Sequence, residues 1–256
     1  MRLLLLLLTI TTSVLAQSPR IVLTENNSIV FNEAVSDVYV AKKSFELMLK
    51  SSNLSPKSPL YLVLNTPGGS VSAGNNFIDI VKGLNRPVHT VTIFAASMGY
   101  QIVQELDNRY IIPSGVLMSH RGAVTGLSGQ IPGELNERLK MIESVLDGMN
   151  ERASKRIKQD KKAYQQSTAN ELWLVGQDAV NKKNADLVVL VTCDKSLLSS
   201  YKEEVATIFG SFTVEYSKCP LISYPLSVKR GQNSIPTTSK EFIEVKNTKR
   251  KVYLAF

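Results

Sequence analysis

Cysteine, histidine and tryptophan are scarce in this chain of 256 residues: two Cys, two His and one Trp. With only Cys193, Cys219, His89 and His120 to draw on, and no CxxC pair, neither a zinc centre nor dithiol redox chemistry is supported. No cysteine follows the N-terminal apolar run, which argues against a bacterial lipoprotein. Beyond that run no stretch is long and apolar enough to span a bilayer, which takes about 20 residues. No basic motif interleaved with aromatics points to nucleic acid, so no nucleic-acid partner is expected. Internal repeats and low-complexity tracts are also missing.

What is present begins with residues 1–16. Arg2 supplies a positive start, Leu3 to Ile10 an apolar core, and Val14-Leu15-Ala16 the small residues of a cleavage site. This reads as a secretory leader removed before Gln17, which makes the chain exported, to a periplasm or secreted; an uncleaved anchor is the alternative. In an oxidising compartment an even pair of cysteines reads as a disulfide, here Cys193–Cys219, contributing about 3 kcal/mol; two buried thiols are the alternative. Net charge is +8, with basic excess over Arg152 to Lys162 and in the tail Lys229 to Lys251. A solvated basic face is the plain reading, and attraction to anionic lipid or cell-wall polymer its rival.

Hydrophobic content of 43% allows one substantial domain with additions. Short strands are expected at Ile21–Leu23 and Ser28–Phe31, and helices over Val35–Lys50 and Val71–Leu84. Strands are expected at Leu60–Leu64, Pro87–Phe94, Tyr110–Ile112, Val116–Ser119 and Leu187–Val191. Arg121–Gly133 reads as a loose arm that Pro132-Gly133-Glu134 turns into a long helix reaching about Lys158. Short helices are expected at Ala163–Asn170 and Gln177–Asn181. Past Cys193 the pattern loosens. Lys195–Ile208 reads as helix, Phe212–Tyr216 as strand and Ser217–Ser239 as an extended wrap. Phe242–Val245 and Lys251–Leu254 read as a terminal hairpin. Alternating strands and helices indicate an α/β fold.

Three strand-end motifs carry the chemistry. Asn65-Thr66-Pro67-Gly68-Gly69 follows one apolar run, Ala95-Ala96-Ser97-Met98-Gly99 a second, and Met118-Ser119-His120 ends a third. A hydroxyl nucleophile, a glycine turn offering backbone N–H groups and an imidazole base are what acyl transfer to serine requires. Ser97 as a plain helix cap and His120 as a structural histidine are the competing readings; His89, mid-strand, reads as a core or edge residue. In this order and spacing, together with Trp173-Leu174-Val175-Gly176-Gln177-Asp178-Ala179-Val180, the motifs resemble the Clp-type serine peptidases, within the wider crotonase-like superfamily. The similarity runs from about Ile21 to Val191.

That resemblance implies a ClpP/crotonase-like core of repeated β-β-α units wound as a spiral, over residues 17–192. A handle of extended arm plus long helix (Arg121–Lys158) is implied with it, and residues 193–256 are left as an extension without counterpart. It implies a serine endopeptidase acting on peptides or unfolded protein, with Ser97 as nucleophile, His120 as general base and the Gly69 and Met98 amides as oxyanion donors. It implies no cofactor and no metal. It implies homo-oligomeric rings, heptameric and stacked in pairs, although an ATPase partner sits poorly with an exported chain. The third catalytic group departs from the pattern: counted without gaps from Trp173, the family's aspartate falls on Ser167. Glu171 is the expected substitute, with Asn170 an uncharged alternative, and Lys140 opens a Ser–Lys variant. A signal-peptide-peptidase-like protease, a catalytically weak or inactive oligomeric scaffold, and an acyl-CoA enzyme are the other functions the pattern admits.

Overall fold

A computed structural model describes residues 18–208 and 210–231. The leader at 1–16 and the expected terminal hairpin lie outside the described residues. In chain order the elements are β1 (Arg20–Leu23), β2 (Ser28–Phe31), α1 (Asp37–Asn53), β3 (Leu60–Thr66), α2 (Val71–Gly83), β4 (Val88–Ala96), α3 (Met98–Glu105) and β5 (Arg109–Ser119). They continue with α4 (Glu134–Arg156), α5 (Lys161–Ser167), β6 (Leu172–Val175), α6 (Gly176–Asn181), β7 (Leu187–Val188) and β8 (Leu190–Cys193). A single 3-10 turn, Lys195–Leu197, leads into β9 (Ser200–Thr207), β10 (Gly210–Ser217) and β11 (Ser227–Arg230).

The main sheet runs β2-β3-β4-β5-β6, with β7 also paired to β5. Strands β2 to β5 are mutually parallel, and β6 lies antiparallel on β5. The two-residue period of each strand splits the interior into two cores. Leu60, Leu62 and Leu64 of β3 face one side, with Phe31, Tyr39, Leu47, Phe77 and Ile102. The intervening Tyr61 and Val63 face the other, with Val91, Ile112, Leu23 and Leu197. Burial on both faces is why β3 reads as a continuous apolar run rather than an alternating one.

Helix ends are set locally. Ser36 accepts from the Tyr39 amide to open α1, Ser70 from Ala73 to open α2, and Asp160 from Lys162 and Ala163 to open α5.

Three expectations give way. Tyr110–Ile112 and Val116–Ser119 belong to one strand, β5, because pairing with β4 resumes on both sides of Pro113-Ser114-Gly115: Thr92 faces Ile111, and Phe94 faces Val116. Lys195–Ile208 is mostly strand, not helix. Tyr201 and Val205 pack against Phe212, Val214 and Tyr216 on one face, while Lys202, Glu204 and Ala206 are exposed on the other, an arrangement that pairing with β10 fixes. The expected wrap after Ser217 contributes a third strand, β11, antiparallel to β10.

Cys193 and Cys219 are joined as a disulfide across a sequence separation of 26. The bond fastens the three-stranded C-terminal sheet to the second core, where Cys219 and Leu197 are buried. β8 in turn pairs in parallel with β1, so the start of the described chain is tied to the strand that carries Cys193.

Candidate active site

The C-terminal ends of β3, β4 and β5 lie side by side, at the edge where parallel sheets commonly place their ligands. Thr66 pairs with Ala95, and Ala96 with Met118, so the residues that follow each strand emerge together. At that point the chain of β4 turns sharply into α3. Ser97 occupies the turn with φ 54° and ψ −118°, a left-handed conformation that a non-glycine residue adopts only where its surroundings impose it. Its amide donates to the Met118 carbonyl (2.9 Å), which ties the turn to β5 one residue before Ser119. Its hydroxyl makes no capping bond to α3. It meets His120 instead, with Nε2 and Oγ 2.8 Å apart.

Gly68 and Gly69 let the β3 turn lie against this corner. Gly68 has φ +87°, and a β-carbon there would sit 2.5 Å from the Ala96 carbonyl oxygen and 2.7 Å from both the Met98 nitrogen and the Ser97 Cβ. Gly69 has φ +147° and bridges to Val35, whose carbonyl oxygen would be 2.4 Å from any β-carbon. The Thr66 hydroxyl secures the turn by accepting from the Gly68 amide (3.1 Å) and donating to the Glu33 carbonyl (2.6 Å).

Ser97, His120, Gly69 and Met98 border one cavity of about 480 Å³. Leu146, Met149 and Asn150 of α4 form another wall, and Gln101, Gln165 and Thr168 complete it. The cavity thus combines an apolar wall with a few convergent polar groups, as ligand sites commonly do. α3 begins at Met98, which borders the cavity, and the positive end of its dipole favours negative charge there.

Of the other candidates, Glu171 lies in register with His120: the antiparallel pairing of β5 with β6 runs to Ser119 and Leu172, and the next positions are His120 and Glu171. The Glu171 carboxylate is exposed and accepts from the Trp173 indole (3.0 Å). The Ser167 hydroxyl donates back to the Tyr164 carbonyl within its own helix (2.8 Å), and Asn170 is exposed. Lys140 is exposed on α4 and paired with Glu137 (2.7 Å). Among the described residues, the Ser97 hydroxyl is the one side chain hydrogen-bonded to His120. His89 lies mid-strand between the rings of Tyr61 and Tyr110, and its half-burial lowers its pKa.

Sequence reasoning passed over Gln101, Gln165, Thr168 and the α4 wall. Leu146 and Met149 carried a signal, since they stand three residues apart on the long helix and so share a face. The polar residues carried none, because glutamine and threonine in short helices are commonplace on surfaces.

Comparison with known proteins agrees with this layout. The model of the family described as Clp protease matches residues 15–189. The ATP-dependent Clp protease proteolytic subunit of Adiantum capillus-veneris is 28% identical over 148 residues, covering 56% of this chain and 66% of its own length. The ATP-dependent Clp protease proteolytic subunit 1 of Chlamydia muridarum is 29% identical over 168 residues, covering 62% of this chain and 83% of its own. The protein of the same name from Chlamydia caviae is 30% identical over 159 residues, or 58% and 79%. With the family match spanning well over half of its residues and the glycine turn, serine corner and histidine strand end in one cavity, the chain belongs to the Clp protease family.

Proposed function

We propose that this chain is an exported serine endopeptidase that hydrolyses peptides or unfolded proteins through an acyl-enzyme on Ser97. The observation that carries the reading is the 2.8 Å approach of His120 Nε2 to Ser97 Oγ within a cavity bordered by Gly69 and Met98. His120 takes the hydroxyl proton as Oγ attacks the scissile carbonyl, then returns it to the leaving amine. The Gly69 and Met98 amides hold the oxygen on which negative charge develops, a contribution of about 10²–10³ in turnover for each donor of this kind. Leu146 and Met149 favour an apolar substrate side chain beside the nucleophile. Glu171, in register with His120 across β5 and β6, is the third member in this reading, its carboxylate exchanging the Trp173 indole for the imidazole.

Export is supported by the leader-like residues 1–16 and by the disulfide. Residues 17–192 form the peptidase domain in this reading, and residues 193–256 an extension stapled to it. Assembly into rings through Arg121–Lys158, the handle, is supported by the exposed Leu139, Met141 and Val145 on α4. The relatives are named as ATP-dependent, but an ATPase partner is not part of the proposal for an exported chain.

A fluorophosphonate probe tests the reading. It labels the mature chain between pH 6 and 9, and Ser97→Ala abolishes labelling. A second reading, an inactive oligomeric scaffold, draws on the lack of a carboxylate bonded to His120 among the described residues. An unlabelled chain that still forms a stable ring by light scattering decides for it.

A further inference from the structure

The elements that carry Ser97 and His120 share a buried polar junction. Ser119, the residue before His120, has its hydroxyl 2.9 Å from that of Tyr164. Gln101, one turn into the helix that Ser97 opens, donates its side-chain amide to the same Tyr164 hydroxyl (3.4 Å). The Gln101 amide nitrogen of the main chain donates to the Ser97 carbonyl (3.3 Å), so this side chain stands directly behind the nucleophile. Ser119 and Tyr164 are each 1% exposed, and Gln101 is 8% exposed. Tyr164 lies on α5, and its carbonyl accepts from the Ser167 and Thr168 hydroxyls. One phenol oxygen therefore joins α3, the end of β5 and α5, the three segments that border His120 and Ser97.

The chemistry of a phenol suits this junction. Its oxygen accepts from the Gln101 amide and shares a hydrogen bond with the Ser119 hydroxyl, in which either oxygen can donate, and Tyr100 adds a further hydrogen bond, all out of reach of water. Burial holds the Tyr164 hydroxyl protonated well into the alkaline range by raising its pKa. The junction adds no charge to His120. What it supplies is rigidity, at a site where, among the described residues, no carboxylate is hydrogen-bonded to the imidazole.

Resting on the serine-peptidase reading above, we infer that Tyr164 is a positioning residue: through Ser119 and Gln101 its hydroxyl holds the His120 strand end and the Ser97 turn in hydrogen-bonding register. Acyl transfer is steeply sensitive to such placement, since a displacement of about 1 Å can cost about 10²-fold in rate.

The test is Tyr164→Phe in the mature full-length chain, measured as fluorophosphonate inactivation from pH 6 to 9 and resolved into probe affinity and maximal inactivation rate. The expected result is a maximal rate lowered about 10- to 100-fold at unchanged affinity. Because the single variant strands the Gln101 and Ser119 side chains, a triple variant, Gln101→Leu/Ser119→Ala/Tyr164→Phe, removes all three together, leaves the Tyr100 hydroxyl held by Asn184, and restores stability to near that of the parent. In the triple variant the inactivation rate stays low. If the rate recovers along with stability, or if Tyr164→Phe reacts within about twofold of the parent, Tyr164 is only packing and the inference fails. A parent chain that is not labelled at all overturns the serine-peptidase reading and this inference with it. A parent labelled at Ser97 beside an unaffected Tyr164→Phe overturns this inference alone.

Discussion

Gly68→Ala is the substitution whose effect follows most directly from the geometry. The added methyl carbon would lie 2.5 Å from the Ala96 carbonyl oxygen, 2.7 Å from the Met98 nitrogen and 2.7 Å from the Ser97 Cβ, all parts of the corner that presents the hydroxyl. None of these is a flexible side-chain end, so either the glycine turn or the serine corner must shift. Alanine at φ +87° costs about 1–2 kcal/mol, and overpacking adds about 1–3, for a total of about 2–5 kcal/mol. In urea, with a slope near 2 kcal/mol/M, that is a fall in midpoint of about 1–2.5 M. The folded fraction should also react more slowly with a fluorophosphonate, by about 10²-fold, because the corner moves relative to His120. Gly83→Ala is the control. It ends α2 with nothing within 4 Å of the added carbon, so it should be neutral or stabilising by up to about 1 kcal/mol, with unchanged labelling. Were Gly68→Ala as stable and as reactive as Gly83→Ala, the close approach of the two turns would be refuted.

Further outcomes follow from other parts of the molecule. Replacing both Cys193 and Cys219 with serine should cost about 3.5 kcal/mol from the 26-residue separation, read by urea unfolding; an unchanged midpoint would mean the C-terminal sheet holds without its staple. Acidification should destabilise the chain through Glu105 and Asp186. Burial opposes ionisation of both, but Lys82 and Arg152 at Glu105, and Arg109 at Asp186, outweigh it and hold both pKa values below the usual range. Carboxylates lowered in this way contribute stability above their unfolded pKa, about 4, and lose it as pH falls through the folded values. Thermal midpoints should therefore drop between about pH 5 and 3, and Glu105→Gln should flatten that slope. Glu171→Gln should lower the labelling rate, by up to about 10⁴-fold for a lost orienting carboxylate; a rate within about twofold of the parent would leave it as the partner of the Trp173 indole alone.

The parallel core was legible because its strands are buried on both faces. Leu60–Leu64 is a short, dense apolar run between Pro59 and the Pro67-Gly68-Gly69 turn, and Val88–Phe94, after Pro87, is rich in β-branched residues. The Ser97–His120 meeting was legible for a related reason: both residues stand at strand ends, and a parallel sheet brings such ends to one edge. The C-terminal sheet was harder. Tyr201 and Val205 are four residues apart, a spacing that suits a helix as well as a strand, and only pairing with Phe212–Tyr216 decides between them. Glu171 illustrates a different limit. It immediately precedes β6, whose pairing with β5 brings it into register with His120, while its carboxylate bonds to the Trp173 indole, and nothing in the residue types dictates which partner it takes. The Tyr164 junction was invisible because its three members are 18 to 63 residues apart and each is unexceptional alone.

The central claim is that Ser97 becomes covalently acylated with His120 as its base. Incubating the mature chain with an activated peptide ester, quenching in acid and digesting it for mass spectrometry tests this directly. The account predicts the acyl mass on the peptide that contains Ser97, present in the parent and lost in both Ser97→Ala and His120→Ala. An adduct on a different residue, or on Ser97 at undiminished level in His120→Ala, would contradict it.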